Sequence, residues 1–150
     1  MGLDCYIVHG NDRDKAFTSK DDERIKDVSL CGGLFSGYGA DGSFRGKVYE
    51  PIIRQLSEGR HTWYIDQDED AYIPSVALKE QADLLAELIQ AKTEIADEEG
   101  ETYDDDTIIF TVTELYGPLN GEEFTLKEIR DLETLLRVAA ERKAVMTVWY

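Results

Sequence analysis

The alternation of apolar and polar positions divides the chain into strand-like runs and three helix-like segments. Leu3-Asp4-Cys5-Tyr6-Ile7-Val8-His9 places Leu3, Cys5 and Ile7 on one side, the period of two that a half-buried strand requires, and Gly10-Asn11-Asp12 ends it with turn chemistry. From Arg13 to Asp27 the chain is polar and mixed in sign and reads as a surface connection, with Ser19 and Asp22 spaced to cap one short helical turn. Val28-Ser29-Leu30-Cys31 reads as a short strand. Val48 to Glu58 then has a helical pattern closed by Gly59, and Pro51, which has no N–H, fixes the start at about Lys47–Glu50. His61-Thr62-Trp63-Tyr64-Ile65 is rich in strand formers and is followed by the acidic turn Asp66–Asp70.

Ser75 to about Ala96 is the longest helical pattern, with Leu78, Ala82, Leu85, Leu88 or Ile89, and the stem of Lys92 on one stripe and charges on the other face. Asp97–Asp106 holds seven acids in ten residues and reads as a solvated loop, because like charges this dense repel one another. Thr107–Leu115 sets Ile109, Thr111 and Thr113 against Ile108, Phe110 and Val112 and reads as an interior strand; Gly117-Pro118 and Asn120-Gly121 then reverse the chain. In the last helix Thr125 and Glu128 make a capping box, Phe124 and Ile129 stand at the positions of a hydrophobic staple, and Leu126, Ile129, Leu132, Leu136 and Ala139/Ala140 form the apolar stripe. Arg142-Lys143 suits the negative end of that helix, and Ala144–Tyr150 reads as a final strand. The expected fold is one α+β (or mixed α/β) domain over residues 1–150, with four or five strands, three helices packed on the sheet and both chain ends in it.

Charge sharpens the picture. The net charge is -16, and it is uneven: residues 1–60 carry ten acids against nine bases, residues 61–150 twenty-two against seven. Such a field repels phosphate backbones and argues against general nucleic-acid binding, while it leaves room for a local cationic site, a metal or a basic protein partner, or simply serves solubility. No apolar run approaches the roughly 18 residues of a membrane helix, and no secretion signal is evident, so a cytoplasmic location is expected. Cys5 and Cys31, the two cysteines, have neither disulfide-framework nor zinc-site spacing.

The stretch with the most chemistry is Cys31–Lys47, which holds six of the twelve glycines and ends in Arg45 and Lys47. Gly37, Gly39 and Gly42 spell the Gly-x-Gly-x-x-Gly of dinucleotide loops, with Asp66 beyond the next strand in the place of a ribose acid, but Gly32-Gly33 stands where a strand should and Ser43-Phe44-Arg45 separates the glycines from a helix. The phosphate-loop pattern fails because Val48 follows Gly46-Lys47. A looser site remains: backbone N–H groups between Gly37 and Gly46 with Arg45 and Lys47 for an anion, and Tyr38 or Phe44 to stack on a base. The competing reading is a packing loop whose glycines serve backbone geometry.

Three weaker constellations complete the search. Asp66, Asp68 and Asp70 occupy the first, third and fifth places of a calcium loop, but Ala71 and Ala77 replace its glycine and closing glutamate. Cys31 with His61 and an Asp has the members of a nucleophilic triad without any sequence signal that they meet. His9 and His61 are too few for a histidine metal site.

Met1-Gly2-Leu3-Asp4 and Ser43-Phe44-Arg45-Gly46-Lys47-Val48-Tyr49 resemble segments of small bacterial or phage proteins of no assigned activity. The resemblance implies a prokaryotic or viral cytosolic setting and carries no activity to any residue. The expectation is therefore a non-enzymatic protein holding a small anionic, phosphorylated or nucleotide-like ligand at Gly37, Tyr38, Gly39, Gly42, Phe44, Arg45, Gly46 and Lys47, with no cofactor, metal or membrane. The alternative is an acidic interaction protein, of inhibitor or DNA-mimic type, that presents residues 61–150 to a basic partner.

Overall fold

The computed structural model describes residues 4–63, 72–111 and 123–149. Its centre is β1 (Asp4–His9), which pairs antiparallel with three other strands. Along one edge β6 (Val145–Trp149) runs in register from Asp4↔Trp149 to Val8↔Val145, and on the other edge β3 (Ser43–Phe44) covers the start of β1 and β2 (Asp12–Ala16) covers its end. Ile73 adds a single bridge to Met146 on the far side of β6. A separate ribbon is made by β4 (Ile108–Thr111) and β5 (Glu123–Thr125), so the fold is α+β, with two sheets and three helices among the described residues.

Each helix follows from a local signal. α1 (Glu50–Leu56) begins at Glu50 with Pro51 in its first turn, and Gly59, at φ +82°, donates its N–H back to Arg54 O. α2 (Ser75–Glu98) buries Leu78, Gln81, Ala82 and Leu85 and packs along α3 (Leu126–Glu141). α3 is capped by Thr125, whose hydroxyl accepts from Glu128 N at 3.3 Å, while Phe124 is buried as the staple requires. Its inner face carries Leu126, Ile129, Leu132, Leu135, Leu136, Val138 and Ala139, and each buried Leu or Ile side chain contributes roughly 2 kcal/mol of transfer free energy. Between sheet and helices lie Cys5, Ile7, Phe44 and Met146 from the strands and the rings of Phe35, Tyr49, Trp63 and Phe124. Trp63 donates its indole N–H to the buried Gln81 Oε1 at 2.7 Å, which satisfies both polar groups.

Several expected elements change. The polar run after Gly10 is a strand, because a hairpin lets Asp12–Ala16 satisfy the edge of β1 with backbone alone. Its continuation does form a short helical turn, Glu23–Ile25, capped by Asp22 accepting from Arg24 N. Val28–Cys31 is not a strand; Cys31 and Gly32 turn the chain instead. His61–Trp63 is irregular, held where Trp63 N donates to Glu50 Oε2 at 2.6 Å. The strand at Ile108–Thr111 lies in the two-stranded ribbon and not inside the main sheet, with Ile109 buried and Ile108 48% exposed. Tyr64, Ile65, the acidic turn with Asp66, Asp68 and Asp70, the reversal at 117–121 and the remainder of the 107–115 run lie outside the described residues.

Candidate functional site

The glycine-rich stretch folds as a hairpin whose polar backbone is turned on itself. Leu34 N donates to Ser43 O at 2.9 Å, and Asp41 N and Gly42 N both donate to Leu34 O at 3.1 and 2.9 Å. Ser43 gives its N–H and its hydroxyl to Asp41 Oδ1 at 3.0 and 2.5 Å. Arg45 N donates to Cys31 O, Val48 N to Arg45 O and Tyr49 N to Gly46 O. The N–H groups of Asp41, Gly42, Ser43 and Arg45, which a phosphate nest would present, are thus occupied within the chain.

The glycines divide by role. Gly42 sits at φ +73°, and a Cβ there would lie 2.6 Å from Ile7 O and 2.8 Å from Phe17 O; a Cβ on Gly46 would lie 2.1 Å from Cys5 Sγ. These two bring the hairpin against β1 and leave no room for a side chain. Gly37 and Gly39, both at φ +83°, face open space at the tip. Between them Tyr38 is fully exposed.

The candidate ligand side chains do not converge. The Phe44 ring is buried, with its centroid 5.7 Å from that of Trp63 and 6.0 Å from that of Tyr49, so it packs the core. Tyr38 lies on the tip side of the Leu34–Ser43 bridge, whereas Arg45 and Lys47 follow Ser43 in the opposite direction along the chain. Arg45 reaches Asp4 Oδ1 at 3.9 Å, beside Trp149 in the register of β6. Behind it come a one-turn 3-10 helix, Gly46–Val48, and the seven residues of α1.

Tyr49 anchors this region. Buried, it accepts from Cys31 N at 2.9 Å and donates to Glu128 Oε1 at 2.5 Å, tying the start of the hairpin to the first turn of α3. Burial raises its pKa above the usual phenol value. Burial likewise raises the Cys5 thiol, with Glu50 and Asp4 acting in the same direction. Cys31 is exposed, and His61 pairs with Glu80 at 2.7 Å; among the described residues no hydrogen bond or ion pair joins Cys31 to His61. Nor do the described residues contain a group of three or more His, Cys, Asp or Glu arranged for a metal ion.

The other chemically distinct region is the C-terminal end of α2. Glu94, Asp97, Glu98, Glu99, Glu101, Asp104, Asp105 and Asp106 are all exposed there, and the last turn of the helix contains no basic residue. Among the described residues one cation, Arg130, reaches an acid of this run, at 3.8 Å from Asp105. A helix C-terminus already carries about half a negative charge, so Asp97, Glu98 and Glu99 lie where their mutual repulsion is reinforced. Ile95 and Ile108 stand among them, 49% and 48% exposed. The sequence contained the charge signal, since no Lys or Arg occurs between Lys92 and Lys127, but gave no sign that isoleucines would be left outside.

Several acids elsewhere are paired. Asp22 accepts from Arg24, which holds its carboxyl at about 2, well below the usual carboxylate range, and Arg24 also meets Glu141 at 2.6 Å. Arg137 is similarly placed between Glu133 and Asp83. No protein-family model, curated protein or solved structure matches the chain.

Proposed function

We propose that the protein is a non-enzymatic interaction module whose acidic surface at the end of α2 binds a basic protein partner. The observation that supports this is the acidic run from Glu94 to Asp106, at and beyond the negative end of a 24-residue helix, which one cation, Arg130, reaches among the described residues. A sequence shaped for stability alone would place Lys or Arg in that turn, as cations there are worth several tenths of a kcal/mol each. A partner's cations would supply the missing charge, speed encounter and select the partner by sign.

The test is a crosslinking capture from cell extract with wild type, with Asp104→Asn/Asp105→Asn/Asp106→Asn and with Arg45→Ala, repeated over a salt series. A basic protein held by wild type and by Arg45→Ala, lost from the triple variant and released steeply with salt is the expected result. Capture that ignores both salt and the triple variant would sink the reading.

A second reading, a small anionic ligand at the glycine hairpin, draws on the exposed Arg45 and Lys47 and on the open tip at Gly37-Tyr38-Gly39. A thermal-shift panel of nucleotides, sugar phosphates and inorganic phosphate separates the two. A ligand at 100 times its Kd stabilises by about 2.7 kcal/mol, so a shift of several degrees that Arg45→Ala abolishes would favour the ligand.

A further inference from the structure

Beside the acidic run an open groove of about 410 Å³ is lined by Leu88 and Lys92 of α2 and by Ile108, Ile109, Phe110 and Thr111 of β4. Successive side chains of a strand point to opposite faces, so four consecutive residues can line one groove when it follows the edge of the strand. No residue of β5 lines it, which puts it along the edge of β4 away from β5; among the described residues that edge has no strand partner. The strand carries neither charge nor proline, the usual protections of an exposed edge. Its apolar stripe continues along α2 from Leu88 through Lys92 to the exposed Ile95, residues spaced to share one helix face.

We propose that this edge accepts an extended, apolar segment with basic flanks from a partner protein, which adds to β4 as a third strand. The inference rests on the interaction reading above and names the element recognised. Backbone hydrogen bonds to β4 would supply affinity, alternate apolar side chains would enter the groove between β4 and Leu88, and Lys92 has ammonium donors for carbonyls of the added chain. The flank lying over the start of β4 must be basic because Asp104, Asp105 and Asp106 directly precede β4 and Glu94 to Glu101 lie at the adjoining end of the facing helix; lysines at both peptide ends serve either strand direction. The net charge of -16 on each chain opposes a second copy as the occupant, because like-charged chains repel.

The experiment uses three short labelled peptides and fluorescence anisotropy. One alternates Val and Thr with paired lysines at each end, one has glutamates at the ends, and one keeps the lysines but carries a central proline that cannot join a ladder. The first should bind about tenfold tighter than either of the others, lose affinity with salt and with the Asp104→Asn/Asp105→Asn/Asp106→Asn triple variant, and fail to bind Ile108→Lys. Ile108 is half exposed, so that variant should keep its Tm. Equal binding of the two lysine-flanked peptides would overturn strand addition while leaving the acidic-surface reading standing; binding indifferent to flank sign and salt would overturn both. Absence of binding by all three overturns the strand proposal alone, and so does sedimentation as a dimer that Ile108→Lys dissociates, because a second copy then occupies the edge.

Discussion

The glycine hairpin and the acidic end of α2 hold most of the unusual composition of this chain, yet they treat their polar groups in opposite ways. The hairpin turns its N–H groups inward, onto Leu34 O, Asp41 Oδ1 and Cys31 O, and seats Gly42 and Gly46 against β1. The helix end and the loop after it expose eight acids, of which Asp104 accepts from Asp106 N and Thr107 Oγ1 and Glu94 from Gln90 Nε2, while Arg130 is the one cation reaching them among the described residues. Satisfied polar groups build structure, whereas groups left in mutual repulsion are available to something else. The contrast predicts that hairpin substitutions act on stability and helix-end substitutions act on association.

The largest effect should come from Gly46→Ala, whose new methyl meets Cys5 Sγ at 2.1 Å. Overpacking of this kind costs about 3 kcal/mol, a Tm loss of about 10 °C in thermal denaturation. An unchanged Tm would place Gly46 outside the core and break the comparison on its first arm.

Alkaline pH comes next. Cys5 and Tyr49 have folded-state pKa values raised by burial, so above the unfolded values of about 8.5 and 10 the unfolded chain releases protons that the folded chain retains. Stability is therefore full below about pH 8 and falls as pH rises, by about 1.4 kcal/mol per unit once the unfolded thiol ionises. Cys5→Ala should flatten the first part of that slope in urea denaturation followed against pH.

Smaller again is Tyr49→Phe, which leaves Cys31 N without its acceptor and Glu128 without its donor; a loss of about 2 kcal/mol is expected in the same assay. At the hairpin tip Gly37→Ala should cost about 1 kcal/mol, from the left-handed φ alone, because nothing lies within 4 Å of the new Cβ. A loss at Gly37 as large as at Gly46 would show that tip and base are one packed unit. The smallest effect on stability belongs to Asp104→Asn/Asp105→Asn/Asp106→Asn, which should raise Tm slightly at low salt and leave it unchanged at high salt. Asn keeps the Oδ1 that Asp104 offers to Asp106 N and Thr107 Oγ1, so a fall in Tm would mean that the negative charge itself is structural.

What the sequence made legible was local. The Thr125 cap, Pro51 at the start of α1 and Gly59 after it fix helix ends within a few residues of themselves and stand where expected, although the Glu128 carboxylate accepts from Tyr49 instead of closing a capping box. β1 was legible because its alternation is set by one buried face. β2 was not, since Asp12–Ala16 buries almost nothing and is a strand through backbone pairing across the Gly10-Asn11 turn. The roles of Gly42 and Gly46 depend on Ile7, Phe17 and Cys5, far away in the chain, so a motif count could not separate them from Gly37 and Gly39. The exposure of Ile108 likewise depends on which strand lies beside it, a property of the sheet and not of the residue.

The position of β1 also sets the order in which this fold can assemble. Its longest ladder is with β6, pairing Asp4 with Trp149, while the ladders to β2 and β3 are short. The central strand therefore cannot close its sheet until Val145–Trp149 has been made, and loops that long close slowly. On the ribosome Cys5 and Ile7 would wait with an open flank for Val145–Trp149, which ties completion of the core to the arrival of β6.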